Sequence, residues 1–511
     1  MPTKCTVNVD LVDIWEKRER KGELIRTLAW GDEVSVVKQT GTYAEINAVE
    51  FYEQKDGSIL PRKRTAFIEP RKSSKLKISD ILIPKNKNKV LKVNFVDVQQ
   101  GDGSVIESPQ GKVILVDGGD NQLFARYLAS RFRGTTKAKP KEIECILVTH
   151  GDADHFAGLP EIHESESNPN PQKRLFIAPK RVYHNGIIKR PSAKPNKKKR
   201  PDAELLGATK KKDGKLYITG LEDDLLKVPD KEMNQFFLKW KNALKEYNKR
   251  KKVSFKRLEM GDDKAFSFLD DEEIKIEVLG PLTEKIFGKP ALKFLGTPPK
   301  GPRIGHESLD VGELNSTGAS ASHTINGHSI VFRMTYGKIS YLFSGDLNDE
   351  AGRILTREHN QGTINLKAEV FKVPHHGSAD FSGAFIQSVA PIVSVVSSGD
   401  ENARKEYIHP RATLVGALGK WSRVPEPLVF VTELVAFFNV EGWARVTDKA
   451  KDKKRGEFFS FSRTAFGMVK TRTDGERLLV YTDSGNVKMK EAYAYALNDL
   501  GLLDPAVVVR A

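Results

Sequence analysis

The chain is poor in cysteine, has no long apolar run and carries no surplus of acid. Its 511 residues include two cysteines, Cys5 and Cys145, so no disulfide framework holds it together. Cys145 stands in the run Cys145-Ile146-Leu147-Val148, where a reduced, buried thiol is expected. No stretch of 18 apolar residues occurs, and the best short run, 434–438, cannot cross a bilayer. Near the start stand Asp10, Asp13 and Glu16, with no apolar segment behind a basic one, so no secretory leader is read there. These absences predict a reduced, cytoplasmic chain with no part in the membrane. With 39% hydrophobic and 29% charged residues, wholesale disorder is excluded as well. At roughly 100–200 residues per domain, the length predicts about three domains.

Basic charge is what the chain has in excess: 83 Lys+Arg against 67 Asp+Glu, a net +16. Such a balance favours polyanionic partners without naming one. Part of it is concentrated in residues 189–200, where Lys189, Arg190, Lys194, Lys197, Lys198, Lys199 and Arg200 occur without an acid. Pro191, Pro195 and Pro201 punctuate the run, which predicts an exposed, non-helical loop. A solvated loop with no ligand accounts for it equally well.

Residues 1–75 read as short strands (7–12, 34–37, 43–49, 66–68) separated by turns such as Trp30-Gly31-Asp32 and Asp56-Gly57, which predicts a small, SH3-like β-barrel. Across 90–425 strands interleave with helices: strands over 91–98, 105–107, 113–116 and 145–149, and a helix over 122–133. An insertion over 180–275 holds the basic loop and a helix over 231–249. In that helix Met233, Phe236, Phe237, Trp240 and Leu244 form a stripe read as packing, not as a base-stacking platform. The Gly, Pro and Ser content of 298–322 predicts a mobile loop. The C-terminal extension, 426–511, reads as strands and then a helix over 490–497.

The chemistry is concentrated in Thr149-His150-Gly151-Asp152-Ala153-Asp154-His155, which follows an apolar strand and precedes the helix-like Phe156-Ala157-Gly158-Leu159. Four metal-type ligands on a strand-to-helix turn converge because the turn curls around one point. An aspartate here also suits a helix cap, but a cap does not call for two histidines beside two aspartates. A second constellation repeats the pattern. Ser344-Gly345-Asp346 ends an apolar strand, Pro374-His375-His376-Gly377-Ser378 ends another, and His409-Pro410 follows the strand at 394–397. Ligands at the ends of several strands are how distant residues share one metal site.

Together with Asp97-Val98-Gln99-Gln100-Gly101-Asp102-Gly103-Ser104 and Leu115-Val116-Asp117-Gly118-Gly119, these motifs resemble the metallo-β-lactamase fold superfamily. Within it they resemble the hydrolase domain of the bacterial DNA-uptake (competence) channel. The resemblance spans about 90–425 and leaves both terminal segments unexplained. It does not carry over transport, which belongs to a membrane-embedded part of that channel. It implies an α/β fold, a four-layer αββα sandwich with two divalent ions at one edge, to which the strand pattern alone adds the small flanking β-barrel and the β-rich extension. It places His150 and Asp152 at metal site one and Asp154 and His155 at site two, with Asp346 bridging. His376, or else His375, completes site two. The third histidine of site one has no clear counterpart, and His184, His323 and His328 each read as surface or hydrogen-bonded residues. Asp152 stands where many relatives have histidine, which makes Mn²⁺ or Mg²⁺ competitive with Zn²⁺. His409 is either a general acid or oxyanion stabiliser, or a structural histidine.

Three function classes follow. The first is a metal-dependent phosphodiesterase or nuclease, with Asp154 and His409 catalytic and Lys197, Lys198, Lys199 and Arg200 meeting a nucleic-acid backbone. The second is a hydrolase of lactones or thioesters, and the third a non-catalytic nucleic-acid-binding module. The charge favours the first. The terminal segments are read as surfaces for nucleic acid, a partner protein or a second subunit.

Overall fold

The computed structural model describes residues 2–53, 59–296, 320–399, 409–432, 437–443, 461–465, 467–482 and 491–511. Most of the predicted loop at 298–322 and the turn at Asp56-Gly57 lie outside the described residues. The chain divides into two compact units. One comprises Met1–Asn94, Glu107–Gly111 and Val435–Ala511, the other Phe95–Ile106 and Lys112–Leu434. The two terminal segments, separate in the sequence reading, therefore belong to one unit.

In the first unit a seven-stranded sheet runs in the order Lys21–Ala29, Leu11–Lys17, Ile59–Ile68, Ala44–Glu53, Glu33–Gln39, Thr3–Val7, Leu82–Pro84. Val7, Val12, Ile14, Leu28, Ile46 and Ile68 fill its core, and Ala511 is buried among them. The end of the chain is tied in by polar contacts. Ala511 N donates to Leu11 O at 2.9 Å, and Arg510 pairs with the buried Asp13 at 2.9 Å. A second set of strands, Met468–Thr473, Arg477–Thr482, Glu491–Leu497 and Leu503–Ala506, forms an antiparallel meander. The helix predicted over 490–497 is thus the strand Glu491–Leu497, paired over 491–496 with Arg477–Thr482 and over 494–497 with Leu503–Ala506. Ala, Leu and Lys are good helix formers, but helix propensity is a weak prior that tertiary pairing overrides. The alternating Ala-Tyr-Ala-Tyr-Ala suits a strand, and open hydrogen-bonding edges on both sides decide the outcome.

The second unit mixes helices with two main sheets. In one, Val113–Asp117, Cys145–Leu147, Arg181–His184 and Ser254–Arg257 run parallel in that order. In the other, Ile274–Gly280, Val331–Tyr336 and Ile339–Phe343 are antiparallel neighbours. Val370–Lys372, Val393–Val396 and Leu428–Val431 then continue parallel from Ile339–Phe343. These parallel strands read as unbroken apolar runs because both faces are covered. On one side, helices Asp349–Asn360, Gly383–Val389 and Ala412–Lys420 bury Leu355, Phe385, Ile386, Leu414 and Leu418 against Leu342 and Phe371. Elsewhere Phe343 stacks on Phe332 at 4.6 Å and on Phe95 at 5.8 Å between ring centroids. Burying a phenyl side chain contributes about 2–3 kcal/mol.

Within the insertion, the helix is Gln235–Arg250, capped by Asn234, whose side chain accepts from Phe237 N. Met233, Phe237, Trp240 and Leu244 are buried as predicted, whereas Phe236 is 49% exposed and lies off the stripe. Phe237 packs on Phe156 at 4.5 Å, and its ring would lie 2.7 Å from a Cβ at Gly151. The insertion thereby braces the loop that carries His150 and Asp152. Among the described residues, no helix is long and apolar enough to cross a membrane.

Candidate metal centre

The turn after Cys145–Leu147 is short because Ala153–Phe156 begins a helical turn immediately after Asp152, the residue at its N-cap. That helical turn sends Asp154 and His155 back toward the strand ends. Two neighbouring loops, at 97–104 and 115–119, hold it in place. Asp102 N donates to Asp154 O at 3.2 Å, and Gly118 N donates to His155 O at 2.6 Å. Gln100 Nε2 donates to Asp154 Oδ2 at 3.2 Å. The approach is so close that a Cβ on Gly101, whose φ is +107°, would meet Asp154 O at 1.8 Å. The motifs at 97–104 and 115–119 therefore serve as the bed of the ligand loop.

Asp154, His155, Asp346 and His376 present ligand atoms within 4.8 Å of one another. His155 Nε2 lies 3.0 Å from Asp346 Oδ1, without the alignment of a hydrogen bond. His376 Nε2 lies 3.4 Å from both Asp154 Oδ2 and Asp346 Oδ2. Among the described residues, Nε2 of His155, Nε2 of His376 and Oδ1 of Asp346 are buried without a hydrogen-bond partner. Buried polar atoms are seldom left so, and three of them facing one point fit a divalent ion. Two imidazoles and two carboxylates form a mixed donor set that suits Zn²⁺ or Mn²⁺.

The electrostatics give the same answer. Burial works against charge on every member. Even so, His155 is raised well above its ordinary range by Asp346 and Asp117, and His376 by Asp346, Asp102 and Asp154. Asp154 and Asp346 are held below the carboxylate range by the two imidazoles, against the opposing effect of burial. The carboxylates draw positive charge into the centre. A bound cation would supply that charge and leave the imidazoles neutral.

A second layer orients these groups. His155 Nδ1 faces Asp117 Oδ2 at 2.9 Å, and Thr149 donates to both Asp117 oxygens at 2.8 and 2.7 Å. His376 Nδ1 lies 3.1 Å from Ser397 O. Asp102 is buried and pairs with the buried Lys372 at 2.8 Å. Lys372 and then His376 override burial and hold Asp102 down to about 2. Asp117 and Asp102 stand in motifs already singled out, but only the fold reveals what they orient. Lys372 gives no sequence signal.

The remaining sequence-predicted residues lie farther out. His150 is buried, with Nε2 3.9 Å from Asp346 Oδ2 and Nδ1 3.3 Å from Ser329 Oγ. Burial, then His155, pushes it down to about 4. Asp152 does not join the cluster: its Oδ1 accepts from Lys189 Nζ at 2.6 Å. His375 lies at the rim, 4.0 Å from Asp346 Oδ2, so of the pair it is His376 that reaches the cluster. His409 sits beside His375 at 6.3 Å between rings, and burial, then His376 and His375, pushes it down to about 4. His184 Nε2 meets Asp223 O at 3.2 Å, His328 Nε2 meets Lys293 O at 2.7 Å, and His323 pairs with Asp380 at 3.2 Å. All three are hydrogen-bonded or ion-paired histidines, as read from the sequence. In the basic loop Lys197, Lys198 and Lys199 are exposed. Arg200 is half-buried, donates to Pro191 O at 3.0 Å and lies 3.7 Å from Glu204.

Residues 96–171 match the family model described as the metallo-beta-lactamase superfamily. ComE operon protein 3 of Bacillus subtilis (strain 168) is 35% identical over 98 residues, 19% of this chain and 12% of that protein. Competence protein ComA of Neisseria gonorrhoeae is 37% identical over 86 residues, 17% of this chain and 12% of that protein. The chain thus matches about an eighth of the length of each relative.

Proposed function

We propose, on the premise that residues 96–171 match the metallo-beta-lactamase superfamily model and that the chain is partially similar to competence proteins, that it is a metal-dependent hydrolase of phosphodiester bonds in nucleic acid. The observation that carries this is the buried cluster of Asp154, His155, Asp346 and His376, whose unsatisfied Nε2 and Oδ1 atoms face one another. Asp154, His155, Asp346 and His376 would hold a divalent ion, which would supply Lewis-acid activation of water and charge stabilisation at the phosphoryl group. Asp154 and Asp346 give carboxylate oxygens to the centre. Asp117 keeps the His155 proton on Nδ1, so that Nε2 points inward. His409, at the rim beside His375, is assigned to the leaving oxygen. The four-layer αββα arrangement and an SH3-like form for residues 1–75 belong to the same reading.

Phosphodiesters are favoured over lactones or thioesters by charge. A net +16 with Lys197, Lys198 and Lys199 exposed suits a polyanion, and a small neutral substrate gives no account of it. The competence-type names of the relatives agree with a nucleic-acid substrate. The test is protein stripped of metal and reloaded with Mn²⁺, Mg²⁺ or Zn²⁺, offered bis-p-nitrophenyl phosphate, DNA and RNA beside a panel of lactones. Metal-dependent phosphodiester cleavage is expected. Turnover of lactones alone, or none with any metal, overturns the proposal.

A further inference from the structure

Lys189 is the first residue of the basic run, yet it is turned away from the loop tip. Its Nζ donates to Asp152 Oδ1 at 2.6 Å, with the two side chains 30% and 18% exposed. The family resemblance assigns Asp152 to metal site one, so an ammonium group sits on the oxygen that a metal ion would need. The rest of that position is thinly furnished. His150 offers one buried Nε2 without a hydrogen-bond partner, 3.9 Å from Asp346 Oδ2. His184, His323 and His328 are all engaged elsewhere. His150 and Asp152 stand outside the group of ligand atoms that lie within 4.8 Å of one another, while Asp154, His155, Asp346 and His376 form it.

Resting on the metal-dependent reading above, we propose that this chain holds one tightly bound divalent ion, on Asp154, His155, Asp346 and His376. The Lys189 ammonium stands at the second position as a built-in cation. A divalent ion beside an ammonium is repelled, and Asp152, already neutralised by Lys189, offers little charge to oppose that repulsion. The ammonium keeps the favourable charge of a second metal ion and adds N–H donors, which suit a phosphate oxygen. Lys189 is then a substrate-positioning residue, and phosphate esters are the substrate class it selects.

The test counts metal in the full-length chain, by elemental analysis after equilibrium dialysis against Mn²⁺ and by titration calorimetry. Wild type should hold one equivalent, Lys189→Arg one, and Lys189→Met two, the second weaker. Asp152→Asn should still hold one equivalent, and Asp154→Ala none. Circular dichroism establishes that each variant is folded; where Lys189→Met is not, the Asp152→Asn count decides. Two equivalents in wild type, one in Lys189→Met, or loss of the tight equivalent in Asp152→Asn each overturn the proposal. A wild-type chain that binds no metal overturns this proposal and the hydrolase reading together. Two equivalents overturn this one alone.

Discussion

Nδ1 of His155 lies 2.9 Å from Oδ2 of Asp117, with both side chains buried. The contact joins two motifs 38 positions apart and determines which ring nitrogen faces Asp346. Asp117→Asn keeps the shape but removes one of the two charges, after that of Asp346, that raise His155. Losses of this kind cost about 10–100-fold in metal affinity or activity. Competition against a chelator should show a loss of that order, and unchanged affinity would remove Asp117 from the site.

Asp154→Ala deletes a carboxylate 3.4 Å from His376 Nε2. It should abolish metal-dependent turnover of bis-p-nitrophenyl phosphate while leaving the far-ultraviolet dichroism unchanged. Full activity in this variant would sink the proposed centre.

Gly101→Ala would put a Cβ 1.8 Å from Asp154 O at a φ of +107°. The backbone must shift or the loop separate from its bed, at a cost of about 2–3 kcal/mol. The urea midpoint should fall, and with it the affinity for metal.

His184 and His328 are pushed down to about 4 by burial, against about 6.5 in an unfolded chain. As pH falls from about 6.5 to about 4, the unfolded chain takes up protons that the folded chain excludes. Their share of stability is therefore whole above about pH 6.5 and is lost as the pH drops, by up to about 1.4 kcal/mol per pH unit for each group. Other groups titrate in the same range, so the comparison is between wild type and His328→Gln. The variant's urea midpoint should fall less between about pH 7 and pH 5. Parallel lines would show that His328 does not contribute.

Replacing Lys197, Lys198 and Lys199 together by Gln removes three exposed charges and leaves Arg200 on Pro191 O and Glu204. If these lysines meet phosphates, the log-log slope of affinity against salt should flatten by roughly 0.7–0.9 per contact. Turnover of a small phosphodiester should hold steady. An unchanged slope would make the loop a solvated tether.

The sequence by itself determined much of the second unit and the location of its chemistry. Parallel strands buried on both faces are apolar throughout, and metal-type ligands at their ends stand out because little else explains His150, Asp152, Asp154 and His155 in six positions. The amphipathic spacing of Phe237, Trp240 and Leu244 revealed a helix for the same local reason. Contacts between residues far apart in the chain were decided only by the tertiary structure. Periodicity carries no record that Lys189 turns back onto Asp152, that Lys372 backs Asp102, or that Ala511 is buried in the N-terminal sheet. The strand Glu491–Leu497 is another such case, its form set by the open edges on either side of it. Ligand type is a property of side chains and can be read from the sequence. Which cation stands against Asp152 depends on a loop closing through space, and only the fold specifies that.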